Sequence, residues 1–211
     1  MLSLFNQQQH QQENPTGFTQ SGTTQSMDHG GHELLDMKEV LGGYVSLLNQ
    51  SVILRQHVKD PDLLSILDRQ YAFSLDAYNI TVEAFKTGRD PSHPTGSYKM
   101  NLGHDFKYGF TPGQPTKPIQ QAGELSDEII SGFLLGAHKS SAKALTATAL
   151  ETTNPVLRRV LADSIQNCIE MAYELSIYQN KKGYYQVPQL SSNDMTALLN
   201  SFETAQKSTH Q

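Results

Sequence analysis

The chain has 211 residues and a formal net charge of −5, and 37% of its residues are hydrophobic. This length allows one sizeable core, and the acidic balance argues against a nucleic-acid groove or an anionic membrane surface as the main partner. The single cysteine, Cys168, excludes an internal disulfide, and no apolar run approaches the ~18–20 residues that span a bilayer. We therefore expect no nucleic-acid partner and no membrane insertion.

Residues 1–30 are predicted to form a disordered, Gln-rich arm. They are rich in Gln, Ser, Thr, Asn and Gly, so they have too few apolar groups for burial to offset the entropy cost of ordering them. The segment lacks the basic and apolar regions of a secretion signal, which makes synthesis in the cytoplasm the expectation. The run from Gln7 to Gln12 also raises the hypothesis that the arm is a cross-linking substrate.

Two helices are predicted over residues 33–58 and 60–87. Apolar side chains recur at helical spacing in the first helix, at Leu34, Met37, Leu41, Tyr44 and Leu48. Val45 and Val52 widen this apolar stripe. Within it, Gly42-Gly43 predicts close approach of a neighbouring backbone. The second helix has a capping residue before a proline, Asp60-Pro61, and its stripe is Leu64, Leu67, Tyr71, Ser74, Tyr78 and Phe85. The connection of about two residues makes the helices an antiparallel hairpin.

Residues 88–123 are predicted to be a long crossover. They are rich in Gly and Pro, have no helical period, and contain the aromatic residues Tyr98, Phe106, Tyr108 and Phe110. If the second and third helices run parallel, the connection must travel about 39 Å, which about 12 extended residues can span. We expect the aromatic residues to anchor it along the bundle.

A second hairpin is predicted over residues 125–152 and 154–182. Ser126 caps its first helix, whose buried face is predicted as Ile130, Phe133, Leu134, Ala137, Ala144 and Ala147. Its second helix begins at Asn154-Pro155 and ends at Gly183, with the stripe Leu157, Leu161, Ser164, Cys168, Met171, Leu175 and Tyr178. Residues 60–67 and 154–161 match as an internal repeat.

Each hairpin has an apolar face that it cannot bury alone, so the two should pack together. Residues 31–188 are therefore predicted to be an all-α, ferritin-like, up-down four-helix bundle made of two hairpins joined by the crossover. The tail, residues 189–211, adds a short amphipathic helix with the apolar residues Met195, Leu198, Leu199 and Phe202. We expect this helix to dock on its own bundle rather than on another protomer.

The sequence offers little catalytic chemistry. A ferritin-type di-iron site requires Glu-x-x-His motifs, and none of the ten glutamates has a histidine three residues later. Mid-helix polar groups that could face the interior are Gln50, Asp76, His138 and Glu170. We interpret them as solvent-facing or hydrogen-bonded groups rather than metal ligands.

A second, equally weak metal candidate lies at the start of the first helix. His29 and His32, beside Glu33, could bind zinc weakly, although the pattern is more typical of a helix start. Cys168 is predicted to be an inert core residue. The sequence has no nucleophile elbow, phosphate-binding loop or dinucleotide motif. We therefore predict a protein that is not an enzyme, with no catalytic residues, no cofactor and no dedicated metal site.

The second hairpin carries a family resemblance. The run Asn154-Pro155-Val156-Leu157-Arg158-Arg159-Val160-Leu161, continuing through Glu170, Tyr173, Glu174 and Tyr178 to Lys182-Gly183-Tyr184-Tyr185, resembles the coat F family of bacterial spore coat proteins. Tyr184 stands where tryptophan is common in that family. The segment from His29 to Glu33, with Asp36 and Glu39, is similar to the start of some coat-F-like paralogues. The resemblance covers residues 29–188.

The resemblance implies a ferritin-like bundle from a Bacillus-like, spore-forming Gram-positive bacterium. It implies a structural or assembly component of the endospore coat, made in the mother-cell cytoplasm, whose partners are other coat proteins or further copies of itself. The alternative is a ferritin-like metal-binding or oxidative-stress protein, with His138 and carboxylates facing one another in the bundle. A third reading is a small-molecule pocket beneath the crossover, closed and lined by Tyr98, Phe106 or Phe110.

Overall fold

The computed structural model describes residues 29–205, and this part of the chain folds into α-helices with no β-strand. The helices are α1 (Gly31–Arg55), α2 (Pro61–Thr87), α3 (Asp127–Glu151), α4 (Pro155–Lys182) and α5 (Ser192–Leu199), with a 3-10 turn at Ala122–Glu124. The prediction of an all-helical bundle is confirmed. The Gln-rich arm, including Gln7 to Gln12, lies outside the described residues apart from its last two positions.

The first helix ends at Arg55, before its predicted end at Val58. Two tighter backbone hydrogen bonds follow: the His57 N–H donates to the Leu54 carbonyl at 2.9 Å, and the Val58 N–H donates to the Arg55 carbonyl at 3.3 Å. These i to i+3 bonds close the helix and turn the chain toward α2.

The four long helices form a ring in which α1 and α4 each pack beside both α2 and α3. At one end, the Lys59 and Asp60 N–H groups donate to the Asp127 carboxylate at 2.9 and 3.1 Å. The Lys182 ammonium, at the end of α4, lies 2.6 Å from the Asp60 carboxylate. We call this the Asp60 end. The end of α1, the starts of α2 and α3, and the end of α4 all lie at the Asp60 end. Helices α2 and α3 therefore run parallel.

The two hairpins share their capping chemistry. Asp60 accepts from the Asp62 N–H, and Asn154 accepts from the Val156 and Leu157 N–H groups, with a proline at the first helical position in both cases. Each second helix ends at a left-handed glycine, Gly88 (φ +62) or Gly183 (φ +79). A Cβ at Gly88 would lie 2.9 Å from Nδ2 of Asn154, so a larger residue would have to displace the Asn154 amide.

Two clusters of buried side chains fill the bundle. One includes Met37, Ala84 and Leu157, and the other includes Leu63, Ile130 and Leu175 nearer the Asp60 end. The predicted stripe of α4 is confirmed, because every one of its members is buried: Leu157, Leu161, Ser164, Cys168, Met171, Leu175 and Tyr178. Of the predicted α2 stripe, only Leu67 and Ser74 are buried. The core of that helix is formed mainly by neighbouring positions, which include Leu63, Ile66, Gln70, Ala77 and Ile80.

The predicted faces of α1 and α3 were partly wrong. On α1, Leu34, Val45 and Val52 are exposed. On α3, Phe133 is 49% exposed, and the predicted Ala144 and Ala147 are also exposed. The buried positions of α3 instead include His138, Leu145 and Thr148. Small residues lie on every side of α3, so its spacing does not identify one apolar face.

An open cleft of about 380 Å³ separates parts of α1 and α3. Its lining includes Gly43, Phe133, Ala137 and Ala144. A Cβ added at Gly42 or Gly43 would meet nothing within 4 Å outside its own stretch of helix. The predicted close approach of a neighbouring backbone at these glycines is therefore wrong.

The crossover and the tail differ in how they meet the bundle. On the crossover, Tyr98 is buried and Phe106 is half-buried, whereas Tyr108 and Phe110 are exposed, so only part of the predicted anchoring is present. No residue of α5 is buried, so the expectation that α5 docks on its own bundle is wrong. The ferritin-like classification and the division into arm, bundle and tail stay predictions.

We predict that Asn154→Ala lowers the free energy of unfolding by about 1–2 kcal/mol, because it removes the α4 cap. The substitution also removes the hydrogen bond from the Asn154 amide to the Gly88 carbonyl, which spans 3.2 Å. Urea unfolding measures the loss. The matched control is Asn49→Ala, at an exposed position of α1, which should change stability by less than about 0.5 kcal/mol. Equal effects of the two substitutions would contradict the capping role.

Candidate functional site

The polar groups expected inside the bundle do not come together. Of the four, only His138 is buried. Gln50 is exposed and donates to the Ser46 hydroxyl, and the half-exposed Asp76 lies 3.2 Å from Nε2 of His93. Glu170 is half-buried. Among residues 29–205, no three His, Cys, Asp or Glu side chains lie together in a way that could hold a metal ion.

The candidate at the start of α1 instead forms part of the second bundle end. Nδ1 of His29 lies 2.5 Å from Oε1 of Glu33, and Nε2 of His29 lies 2.9 Å from the Phe85 carbonyl. The other Glu33 oxygen accepts from the Thr153 N–H at 2.9 Å and the Thr153 hydroxyl at 2.6 Å. His29 therefore joins the start of α1 to the end of α2, and Glu33 joins it to the end of α3; we call this the Glu33 end. His32 is exposed and takes no part in these contacts.

Glu33 is fully buried, yet it is held in its charged form. Burial alone would raise its pKa, but the hydrogen bonds from Thr153 and His29 outweigh burial and hold the pKa below its ordinary value. Both carboxylate oxygens have protein partners. The arrangement closes the end of the bundle, as expected of a helix start.

His138 and Cys168 are among the buried titratable groups of the core. His138 is 1% exposed, its Nδ1 has no hydrogen-bond partner, and burial lowers its pKa to about 4. The imidazole is therefore neutral at pH 7. Burial raises the pKa of the Cys168 thiol to about 12, which makes it a poor nucleophile and agrees with the expected core role.

The most extensive polar site centres on Glu174, a residue of α4 that is fully buried. Its Oε1 accepts from Nη2 of Arg69 at 2.5 Å and from the Asn101 N–H at 3.0 Å. Its Oε2 accepts from the Tyr98 hydroxyl at 2.5 Å and from Nε2 of Gln70 at 3.1 Å. We call these five residues the Glu174 clasp. It joins α2, α4 and the crossover around one charge.

The chemistry of the Glu174 clasp favours a fixed arrangement. Burial and the adjacent carboxylate raise the pKa of Tyr98, so its hydroxyl remains a donor. Arg69 supplies the compensating positive charge from a partly exposed position. Since both carboxylate oxygens are fully engaged, the clasp functions as a structural connection between chain segments.

Two asparagines of α4 extend this connection along the crossover. Oδ1 of Asn167 accepts from the Tyr98 N–H at 2.8 Å, and its amide donates to the Gly96 carbonyl at 2.9 Å. Asn180 accepts from the Lys107 N–H at 2.7 Å and donates to the Lys107 carbonyl at 3.0 Å. Asn167, Glu174 and Asn180 recur at about two-turn spacing on α4, which was the available sequence signal for this role.

A groove lies beside the crossover on the outer side of α3 and α4. Its volume is about 680 Å³, and we call it the lysine groove because Lys139 and Lys143 line it. Its other lining residues are Phe106, Tyr108, Ala142, Cys168, Ile169, Ala172, Tyr173, Ser176, Tyr185 and Val187. Of the residues expected to line a pocket beneath the crossover, only Phe106 does so. The groove is open to solvent, whereas the small-molecule pocket predicted beneath the crossover required a closed cavity.

None of the helices formed by the described residues combines the length and apolar character needed to cross a membrane. The model of the Coat F domain matches residues 126–188, which include α3, α4, Glu174 and both asparagines of the crossover connection. No solved structure matches the chain.

The chain is also similar to spore coat protein F-like protein YhcQ of Bacillus subtilis (strain 168). The two are 52% identical over 177 residues, which cover 84% of this chain and 82% of that protein. The chain therefore belongs to the spore coat protein F-like family. This confirms the family resemblance seen in the second hairpin.

We predict that Tyr98→Phe lowers the free energy of unfolding by about 1.5–3 kcal/mol, because a buried charge loses one hydrogen bond. Amide exchange at Tyr98 and Asn101 should become faster as the crossover loosens. The matched control is Tyr108→Phe on the same crossover, where the side chain is exposed and stability should change by less than about 0.5 kcal/mol. Unchanged stability and exchange in Tyr98→Phe would show that the clasp does not hold the crossover.

We also predict a pH effect from His138. Between about pH 6.5 and 4 the unfolded imidazole binds a proton that the folded one does not, so stability falls as pH falls. The expected loss from this group between pH 7 and pH 5 is about 2 kcal/mol. His138→Leu should remove that part of the slope in urea unfolding at the two pH values. The control is His57→Leu, at an exposed position outside the core. An unaltered slope in His138→Leu would contradict the assignment.

Proposed function

We propose that the protein is a structural component of the bacterial endospore coat, without catalytic activity. The observation that carries this proposal is the 52% identity, over most of both chains, to a spore coat protein F-like protein. In this proposal the protein is made in the mother-cell cytoplasm and deposited on the forespore. Its partners there are other coat proteins or further copies of itself.

The use of the buried charges supports a structural role. Glu33 and Glu174 are both fully buried, and all four of their carboxylate oxygens accept hydrogen bonds from, or pair with, other parts of the chain. A carboxylate engaged in this way is not free to bind a metal or to exchange protons with a substrate. These charges connect segments that are distant in sequence, as a durable building block requires.

A fluorescent fusion expressed in sporulating cells tests the location. The signal should appear first in the mother cell, then form a ring around the forespore, and the protein should be recovered in coat extracts. The matched control is the fluorescent protein alone from the same promoter, which should stay diffuse in the mother cell. Diffuse signal from the fusion, or its presence in vegetative cells only, would overturn the proposal.

Elemental analysis tests the non-catalytic part separately. The alternative, a ferritin-like metal-binding or oxidative-stress protein, requires iron or manganese in stoichiometric amounts in protein purified without chelators. Such a result would favour the metal-binding alternative even if the location in the coat were correct.

A further inference from the structure

The tail helix presents an apolar face that its own bundle leaves mostly uncovered, since only Met195 is half-buried. Met195, Leu198, Leu199 and Phe202 follow the i, i+3, i+4, i+7 spacing of helices that bind in grooves, and we call them the tail face. Leu199 is 80% exposed and Phe202, just beyond the end of α5, is 89% exposed. Exposed apolar strips of this kind mark surfaces that bind a partner.

The lysine groove is the complementary surface on the same chain. Its floor is apolar and includes Ile169, which is 56% exposed, and its lining contains two lysines and no acidic residue. Nζ of Lys139 lies 5.7 Å from the centre of the Tyr185 ring. Within the described part of the chain, neither Lys139 nor Lys143 forms an ion pair with a carboxylate. The groove therefore offers an apolar surface with uncompensated positive charge.

The charge of the tail matches that of the groove. Between Lys182 and Lys207 the chain has no basic residue, and it has two acidic ones, Asp194 and Glu203. These acids lie on either side of the tail face in sequence. An apolar groove with two lysines is complementary to an apolar helix flanked by two negative charges.

The segment that leads to α5 is held at the rim of the groove. The Gly109 N–H donates to the Val187 carbonyl at 2.9 Å, and Gln186 pairs through its side chain with the backbone of Thr111 at 2.5 and 3.1 Å. Only residues 188–191 then separate this fixed segment from α5. In this arrangement both the tail face and the groove of the same copy remain open.

We propose that the tail face of one copy binds in the lysine groove of a second copy. The two surfaces differ, so two copies can exchange tails in a closed two-fold dimer, or copies can add head to tail into a larger ring or an open chain. This inference stands independently of the location in the spore coat. It concerns purified protein, and its failure would be distinct from failure of the localisation experiment.

Sedimentation velocity of the full-length protein over a range of concentrations tests the contact. We expect association that rises with concentration and weakens between about 0.1 and 1 M salt, because exposed charges are screened. Leu198→Asp in the tail face and Ile169→Glu in the groove should each weaken association at least tenfold. The matched control is Ile53→Glu, on α1 and 59% exposed, which should leave association unchanged. Circular dichroism checks that each variant is folded.

Mixing the two defective variants separates this contact from other modes of association. Leu198→Asp retains an intact groove and Ile169→Glu retains an intact tail, so a mixture should form a one-to-one dimer and nothing larger. A contact between identical surfaces would give no such dimer, and its absence would overturn the proposal.

Two further results would also overturn it. A wild-type chain that is monomeric at every concentration, with α5 amides protected from exchange, would place the tail in its own groove. Association that survives removal of residues 189–211 but is lost on removal of residues 1–28 would assign the contact to residues 1–28.

Discussion

The fold depends on one buried charge, the carboxylate of Glu174. A buried carboxylate costs several kcal/mol unless it is paired and hydrogen-bonded. Here the compensation comes from Arg69 and Gln70 on α2 and from Tyr98 and Asn101 on the crossover. Because these donors belong to different parts of the chain, the charge is stabilised only when both hairpins and the crossover are in place. The bundle therefore folds stably only with the crossover, an otherwise irregular segment, in its place.

The parts of the fold that were predictable have strong local signals. Asp60-Pro61 and Asn154-Pro155 identify two helix starts because capping and proline chemistry act within a few residues. The stripe of α4 was correct because its large apolar residues recur at helical spacing along the whole helix. The parallel course of α2 and α3 agrees with the length of the crossover, since a connection much shorter than about 12 extended residues could not have spanned the bundle.

Other features depend on long-range contacts that spacing does not reveal. Glu174 and Arg69 lie 105 positions apart, and a single sequence gives no sign that they meet. The face of α3 was misassigned because glycine, alanine and serine surround it, so His138 was recognised as a candidate but its apolar surroundings were not. For α5, the amphipathic pattern was visible, but it identifies a binding surface without identifying the partner.

The crossover makes the two seams between the hairpins unequal. The seam between α2 and α4 is tied by the Glu174 clasp, whereas the seam between α1 and α3 is tied by Glu33 at one end and contains the open cleft at Gly43 and Ala137. Separation of α1 and α3 around the cleft therefore leaves both buried carboxylates with their partners, whereas separation of α2 from α4 breaks the Glu174 clasp.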